Sequence, residues 1–208
     1  MPTAAPALPT ELPVALVTGA GNRIGAAIAG RLADAGYAVL VHYRSAKGDA
    51  QRVVDGITAL GGTAMTIGAD LADRTQRAGL IEAAGKPFGP LSVLVNNASS
   101  FEPDSATDVD EALWDAHFAI HAEAPVFLAR DFAAQLPKEA DGSIINIIDE
   151  RVLHPTPAYF SYTLSKSVLW TATRLLAQSL APRIRVNAIG PGPVLPHAGQ
   201  TEDRKSVV

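Results

Sequence analysis

Short, almost wholly apolar runs recur along the chain, and between them the apolar positions switch to a spacing of three and four. The runs are Val14 to Thr18 (VALVT), Tyr37 to Tyr43 (YAVLVHY), Thr63 to Ala69, Leu91 to Asn97 (LSVLVNN), the isoleucines from Ile144 to Ile148, and Arg185 to Ile189. A stretch apolar at nearly every position marks a strand covered on both faces of a parallel sheet. The intervening segments place Ile24, Ile28 and Leu32 on one side, stopped by Gly36, and then Val53, Val54, Ile57 and Leu60, closed by Gly61 and Gly62. A further helix precedes Leu91, a helical pattern runs through Trp114, Phe118, Val126, Phe127 and Phe132, and the last passes through Leu169, Leu175, Leu176 and Leu180. Strands alternating with helices six times predict an α/β fold, a doubly wound parallel sheet with helices on both faces. A length of 208 residues suits one core, so residues 13–208 read as a single domain behind a proline-rich tail, 1–12, expected to be disordered.

The first strand runs into TGAGNRIG, Thr18 to Gly25, and then into a helix. In that order, glycines let the backbone approach a pyrophosphate at a helix N-terminus, as in a Rossmann fold. Gly19, Gly21 and Gly25 are spaced two and four apart, with Arg23 inside the loop. About 20 residues further on, a carboxylate would grip a ribose hydroxyl and select NAD. The second strand instead ends in His42, Tyr43, Arg44 and Ser45, with no acid until Asp49. A guanidinium and a hydroxyl there suit a ribose phosphate, so the expected cofactor is NADPH/NADP+. Asp70 and Leu71 follow the third strand, at the edge where an adenine would lie.

The stretch from Ser143 to Lys166, SIINIIDERVLHPTPAYFSYTLSK, gathers the candidate chemistry. Its apolar run breaks at Asp149, and after Pro155 and Pro157 a long helix begins on which Tyr162 and Lys166 share a face. An ammonium beside a phenol favours the phenolate, so Lys166 is expected to lower the pKa of Tyr162 from its usual value near 10. Asp149, at the carboxyl end of the preceding strand, adds a second titratable group where ligands bind in open α/β sheets. Each piece alone has an ordinary explanation, as a solvated helix face or a turn residue. Together they outline a proton-transfer site.

Composition narrows the classes. Net charge is −4 with no basic block, so nucleic acid is not an expected partner. There is no cysteine, and His42, His117, His121, His154 and His197 form no close ligand pattern, so no metal is expected. The first dozen residues lack the basic start and apolar core of a signal peptide, and no apolar run nears the ~18 residues of a membrane span. The expectation is a soluble, cytoplasmic chain with a small-molecule substrate and no membrane partner.

TGAGNRIG, Asp70-Leu71, Asn96-Asn97-Ala98, Tyr162 with Lys166, and the Pro191-Gly192 turn occur in the order of the short-chain dehydrogenase/reductase family, which the chain resembles from Val14 to about Val194. Arg23, HYRSA at His42 to Ala46, NNASSF at Asn96 to Phe101, and Asp149 thirteen residues before Tyr162 look like its pteridine reductases and the related dihydrofolate and dihydromonapterin reductases. Most of the wider family has serine at the position of Asp149 and glycine at that of Ser99. The resemblance implies that Tyr162 donates a proton, that Lys166 lowers its pKa and holds the nicotinamide ribose, and that Asp149 with Tyr162 serves a ring nitrogen. It implies cofactor contacts from Gly19, Arg23, Ile24, Gly25, His42, Tyr43, Arg44, Ser45, Asp70, Leu71, Asn97, Ala98, Ser99, Lys166, Pro191, Gly192 and Val194. Substrate contacts are implied for Arg23, Ser99, Phe101, Asp149 and Tyr162, with Phe101 stacking on a flat bicyclic ring.

His121 stands where the family usually has an asparagine of a proton relay, and a charge change near pH 6.5 would make activity pH-sensitive. The family continues past the sixth strand with a substrate-covering helix, another helix and a seventh strand at its tetramer interface. This chain has HAGQTEDRKSVV there, which reads as a truncation with the C-terminal strand missing. A homo-oligomer, a tetramer by resemblance, is expected. The function implied is NADPH-dependent reduction of a C=N bond in a pterin- or folate-like substrate. A carbonyl reductase acting on a ketone or a 3-oxoacyl thioester, and a cofactor-binding module without turnover, are the alternatives.

Overall fold

The computed structural model describes residues 12–192, so the proline-rich tail before Leu12 and the expected contact at Val194 lie outside the described residues. Six strands form, close to where the apolar runs place them: β1 Val14–Val17, β2 Ala38–Tyr43, β3 Thr63–Gly68, β4 Leu91–Asn96, β5 Gly142–Ile147 and β6 Ile184–Ile189. They make one parallel sheet in the order β3-β2-β1-β4-β5-β6. Seven helices connect them among the described residues: α1 Arg23–Asp34, α2 Lys47–Ala59, α3 Arg74–Ala78, α4 Leu80–Gly85, α5 Glu111–Phe118, α6 Ala124–Gln135 and α7 Phe160–Leu180. This is the doubly wound Rossmann arrangement, with its order reversing between β1 and β4.

Alternation along the strands divides the core between the two faces of the sheet. Leu16, Leu40, Leu94 and Ile144 pack with Leu128 and Phe132 of α6 on one face. Ala15, Val17, Val39, Val41 and Val95 pack with Ala29 of α1 and Val54 and Ile57 of α2 on the other. Leu60 does not join them. Helix α2 ends at Ala59, Gly61 turns the chain at φ +84, and Leu60 is left 84% exposed. The sheet is pinned to α7 by a buried polar string, in which Asn96 donates to Asn146, Asn146 to Thr173, and Thr173 to the Leu169 carbonyl.

The helical pattern between β4 and β5 is broken by a π-turn, Ala119–Glu123, in which the Ala124 amide reaches back to the Ala119 carbonyl. Pro125 supplies the reason. It has no amide to give the His121 carbonyl, and its ring would strike that carbonyl in a regular α-helix. The extra residue in the turn widens the helix and re-aims the side chains around it. One of those side chains is His121.

Candidate active site

The carboxyl ends of β1 and β4 are tied together by Thr18, whose buried hydroxyl donates to the Val95 carbonyl and accepts from the amides of Asn97 and Ala98. The Asn97 side chain donates to the carbonyls of Thr18 and Gly19. Expected as part of a ribose wall, that side chain therefore braces the glycine turn. A Cβ on Gly19 would lie 2.8 Å from Ala98 Cα, and Gly19 sits at φ +61. A Cβ on Gly25 would strike the Gly19 carbonyl and the Asn97 amide. These two glycines keep the backbone thin beside the start of α1, whose N-cap residue Asn22 makes no side-chain bond to the helix. Arg23 itself takes φ +47, a left-handed conformation that a side chain adopts at a cost of order 1 kcal/mol. A strained turn ending in a helix N-terminus suits a dinucleotide pyrophosphate.

His42 is corrected from its expected role beside the ribose phosphate. It is buried; its Nδ1 accepts from the Gly19 amide at 3.1 Å and its Nε2 donates to the Ala69 carbonyl at 3.0 Å. Burial pushes its pKa down to about 4, so the ring stays neutral and works as a strut between the glycine turn and the end of β3. Arg44 and Ser45 follow it and are exposed at the edge of the sheet, open to a phosphate. Tyr43 packs its ring over Gly68. Asp70 spends one carboxylate oxygen on the Ala72 amide, and Leu71 is buried in the core.

The three candidate catalytic side chains do meet. Tyr162 donates its hydroxyl proton to Asp149 Oδ2 at 2.9 Å, and Lys166 donates to the Ile147 carbonyl at 2.8 Å. The electrostatics, however, run opposite to the expectation that Lys166 lowers the phenol pKa. Burial raises it, and the Asp149 charge and hydrogen bond raise it further, against the weaker pull of Arg151 and Ser99. Lys166 Nζ stands 5.8 Å from the ring centroid, spends a proton on a backbone carbonyl, and is itself pushed down to about 8 by burial. Tyr162 is thus a proton holder.

Phe101 lies over this group, though not as an open platform. Its ring stacks on Tyr159 at 4.2 Å and meets Tyr162 edge-on at 4.8 Å. Arg151 sits 5.3 Å above both the Phe101 and Tyr159 rings and 3.5 Å from Asp149 Oδ1. Tyr159 takes φ +59 immediately before α7, and Asp104 accepts the Ser161 amide at that helix start. Pro191 and Gly192 leave β6 beside Glu150, next to Asp149.

His121 lies under Ser99, with Nε2 2.9 Å from the Ser99 hydroxyl and Nδ1 2.8 Å from the Ser165 hydroxyl. Burial, with Lys166 and His117 nearby, holds its pKa well below the usual value. The expected charge change near pH 6.5 is therefore corrected: the ring is neutral. Arg151, Tyr159, Asp104, His117, Ser161 and Ser165 all bear on this site and were not singled out in the sequence. The only sequence sign was the repeat of His117/His121 and Ser161/Ser165 at helical spacing. No helix among the described residues is long and apolar enough to cross a membrane.

Comparison with known proteins agrees with this geometry. The short chain dehydrogenase family model matches residues 13–206. An uncharacterised oxidoreductase of Methylorubrum extorquens is 44% identical over 191 residues, covering 90% of this chain and 75% of that protein. The FolM alternative dihydrofolate reductase 1 from Brucella suis, solved in complex with NADP, is 49% identical with a TM-score of 0.85, over 88% of this chain and 76% of that one. Its counterpart from Brucella canis, also complexed with NADP, is 47% identical with a TM-score of 0.88, over 92% and 76%. The 3-oxoacyl-[acyl-carrier-protein] reductase FabG of Staphylococcus aureus is 34% identical over 179 residues, 86% of this chain and 73% of that one. With the crevice at the reversal of strand order, the glycine turn and the Tyr162–Lys166 pair all in place, the chain belongs to the short-chain dehydrogenase family of oxidoreductases.

Proposed function

We propose that this oxidoreductase uses NADPH to reduce a C=N bond in a pterin- or folate-like substrate, with Tyr162 as proton donor and Asp149 and Lys166 in support. The observation that carries the reading is the Asp149–Tyr162 hydrogen bond of 2.9 Å. Reduction of a carbonyl builds negative charge on oxygen, which a neighbouring carboxylate opposes. Reduction of C=N needs a proton at nitrogen, and a carboxylate favours the protonated nitrogen. Similarity to two Brucella proteins named as alternative dihydrofolate reductases and complexed with NADP supports the same substrate class and cofactor.

The thin glycine turn at the N-terminus of α1 fits a dinucleotide. Gly19, Arg23, Ile24 and Gly25 would hold its pyrophosphate, Arg44 and Ser45 its ribose phosphate, and Asp70 and Leu71 its adenine. Asn97, Ala98 and Lys166 would border the nicotinamide ribose, with Pro191 and Gly192 beyond. When bound, NADPH supplies the hydride. The protein's part is to hold a proton on Tyr162 Oη until a more basic nitrogen lies within reach, and to return one afterwards through Asp149, whose side chain is 15% exposed at the sheet edge. Work in the cytoplasm as a homo-oligomer belongs to the same proposal, and light scattering of the purified protein tests the assembly.

The test is NADPH oxidation with dihydrobiopterin, dihydrofolate, a simple ketone and a 3-oxoacyl thioester. We expect the two bicyclic substrates to be preferred, and Phe101→Ala and Asp149→Ser to abolish that preference. The FabG similarity favours carbonyl reduction as the second reading. Faster turnover of the ketone or thioester, undiminished in Asp149→Ser, would establish it instead.

A further inference from the structure

Past the end of β3, almost every backbone polar group from the Ala69 carbonyl to the Ala72 amide has a partner. The Ala69 carbonyl accepts from His42 Nε2 at 3.0 Å, and the Asp70 amide donates to Gln76 Oε1 at 2.9 Å. The Asp70 carbonyl accepts from the Asp73 amide at 3.1 Å. The Leu71 carbonyl accepts from Arg77 Nη1 at 3.2 Å, and the Ala72 amide donates to Asp70 Oδ1 at 2.9 Å. Buried backbone groups left unpaired are costly, so such a tally is informative where it fails to close. Among the described residues it leaves the Leu71 amide and Asp70 Oδ2 unengaged. The peptide planes on either side of that amide, 69–70 and 71–72, are each held by a side chain from outside the loop, and together they set the plane between them.

We infer that Arg77 is a positioning residue for the adenine half of the dinucleotide, a buried strut anchored on Glu123 that fixes the 71–72 peptide and with it the direction of the Leu71 amide. This rests on the reading above that places the adenine at Asp70 and Leu71. Arg77 is only 4% exposed, and a charge withdrawn that far from water is kept where it is paired and hydrogen-bonded. Its Nη2 donates to Glu123 Oε1 at 2.7 Å, and its guanidinium lies 5.1 Å from the centre of the Phe127 ring. Glu123 closes the π-turn Ala119–Glu123, so the turn that Pro125 imposes also supplies the anchor. Hydrogen bonds from Arg74 and Arg77 hold the Glu123 carboxyl below its usual range, so it stays charged. Arg74 reaches the same carboxylate at 2.8 and 3.1 Å, but its side chain is 78% exposed and the outer bridge adds little. A fastening of α3 to α6 needs only the carboxylate. The second donor, turned back to the Leu71 carbonyl, is what such a fastening does not require.

Calorimetry on the full chain tests it with three probes: NADP+, 2′,5′-ADP, which carries the adenine and its ribose phosphate, and reduced nicotinamide mononucleotide, which lacks both. Arg77→Met keeps the apolar stem and removes both donors. It should weaken NADP+ and 2′,5′-ADP alike by about tenfold, the scale of one hydrogen bond, and leave the mononucleotide unchanged. In steady state the KM for NADPH should rise while kcat holds. Amide hydrogen exchange on the protein without nucleotide gives an independent readout, in which Ala72 should lose protection in the variant while the amides of β3 keep theirs. Where Arg77→Met does not fold, Glu123→Gln removes only the anchoring charge and should weaken 2′,5′-ADP in the same sense. Equal loss for all three probes overturns the inference, as does an Ala72 amide equally protected in parent and variant. Reduced stability with every affinity unchanged marks a fastening between helices and also overturns it. Asp70→Ala separates the strut from the reading beneath it. If that variant binds 2′,5′-ADP as the parent does, the adenine lies elsewhere and both fail; if it binds more weakly while Arg77→Met does not, the placement stands and the strut alone fails.

Discussion

Replacing Asp149 by asparagine keeps its shape and removes its charge, which separates the two forces that hold the proton on Tyr162. Burial and the Asp149 carboxylate both raise the phenol pKa. Asp149→Asn should bring it down, measured as tyrosinate absorbance against Tyr162→Phe, while C=N turnover falls by about a hundredfold, the usual scale for a lost acid–base partner. A phenol pKa that does not move would mean that burial alone sets it. Lys166 offers the complementary change. Its pKa falls from 10.5 in the open chain to about 8 when folded, so the unfolded chain binds more protons between those values and stability rises with pH across that window. Below pH 8 the burial cost is fully present, so Lys166→Met should stabilise the fold at pH 7 by roughly 2–3 kcal/mol while turnover is lost. Urea unfolding checks the first part and steady-state kinetics the second. The Tyr162–Lys166 pair was legible in the sequence because helical spacing alone puts both residues on one face. The net direction of the Tyr162 shift was not, because it is set by burial and by the Asp149 carboxylate, which the fold brings in from the end of β5.

Helix α7 carries the catalytic pair, and its first turn is held from outside the helix. The Asp104 carboxylate accepts the Ser161 amide at 3.1 and 3.2 Å, and the Asp104 carbonyl accepts the Phe160 amide. Asp104→Ala leaves the Ser161 amide without its acceptor just before Tyr162, while the Phe160 amide keeps the backbone carbonyl, and should cost about 1–2 kcal/mol, the scale of a lost N-cap. The expected kinetic effect is on kcat more than KM, since the turn that loosens bears the proton donor and not the nucleotide turn. A fall in stability with kcat unchanged would show that α7 positions Tyr162 without its cap. Asp104 could not be found from the sequence, because 57 residues separate it from the amide it caps. The strands were legible for the opposite reason: burial on both faces leaves its mark on every residue of the run. Between these extremes lies the π-turn. Pro125 reads as an ordinary early-helix proline, and only the continuous helix before it, α5 with the turn, forces the extra residue that aims His121 at Ser165.

Across the whole molecule, buried histidines join layers that the sheet alone does not fix. His42 links the glycine turn to the end of β3, while His117 and His121 link the helices after β4 to α7. Nothing near His42 in the sequence shows this. At the end of an apolar strand it reads as a residue reaching for a ligand, and its partners, Gly19 and Ala69, lie 23 and 27 residues away. All three rings are held neutral by burial, with pKa values lowered from 6.5, His42 to about 4. A base whose folded pKa is depressed binds fewer protons folded than unfolded, so its contribution is complete above pH 6.5 and is lost as pH falls toward the folded value. The carboxylates with lowered pKa, Asp73, Asp108 and Glu123, start from 3.8 or 4.5 and act below this range. The interval from pH 6.5 to 4.5 therefore isolates the histidines. Urea titrations there should show stability falling steadily with acid, and His42→Gln, which can still accept from Gly19 and donate to Ala69, should remove His42's share, up to about 3 kcal/mol by pH 4. Loss of NADP+ affinity should lag behind and set in only as pH nears 4, because the folded ring takes its proton there, and protonating His42 Nδ1 breaks its bond to the Gly19 amide and releases the turn that would face the pyrophosphate. Stability that is flat between pH 6.5 and 4.5 would mean that the rings accept a proton without strain, and the strut would then be no more than a contact.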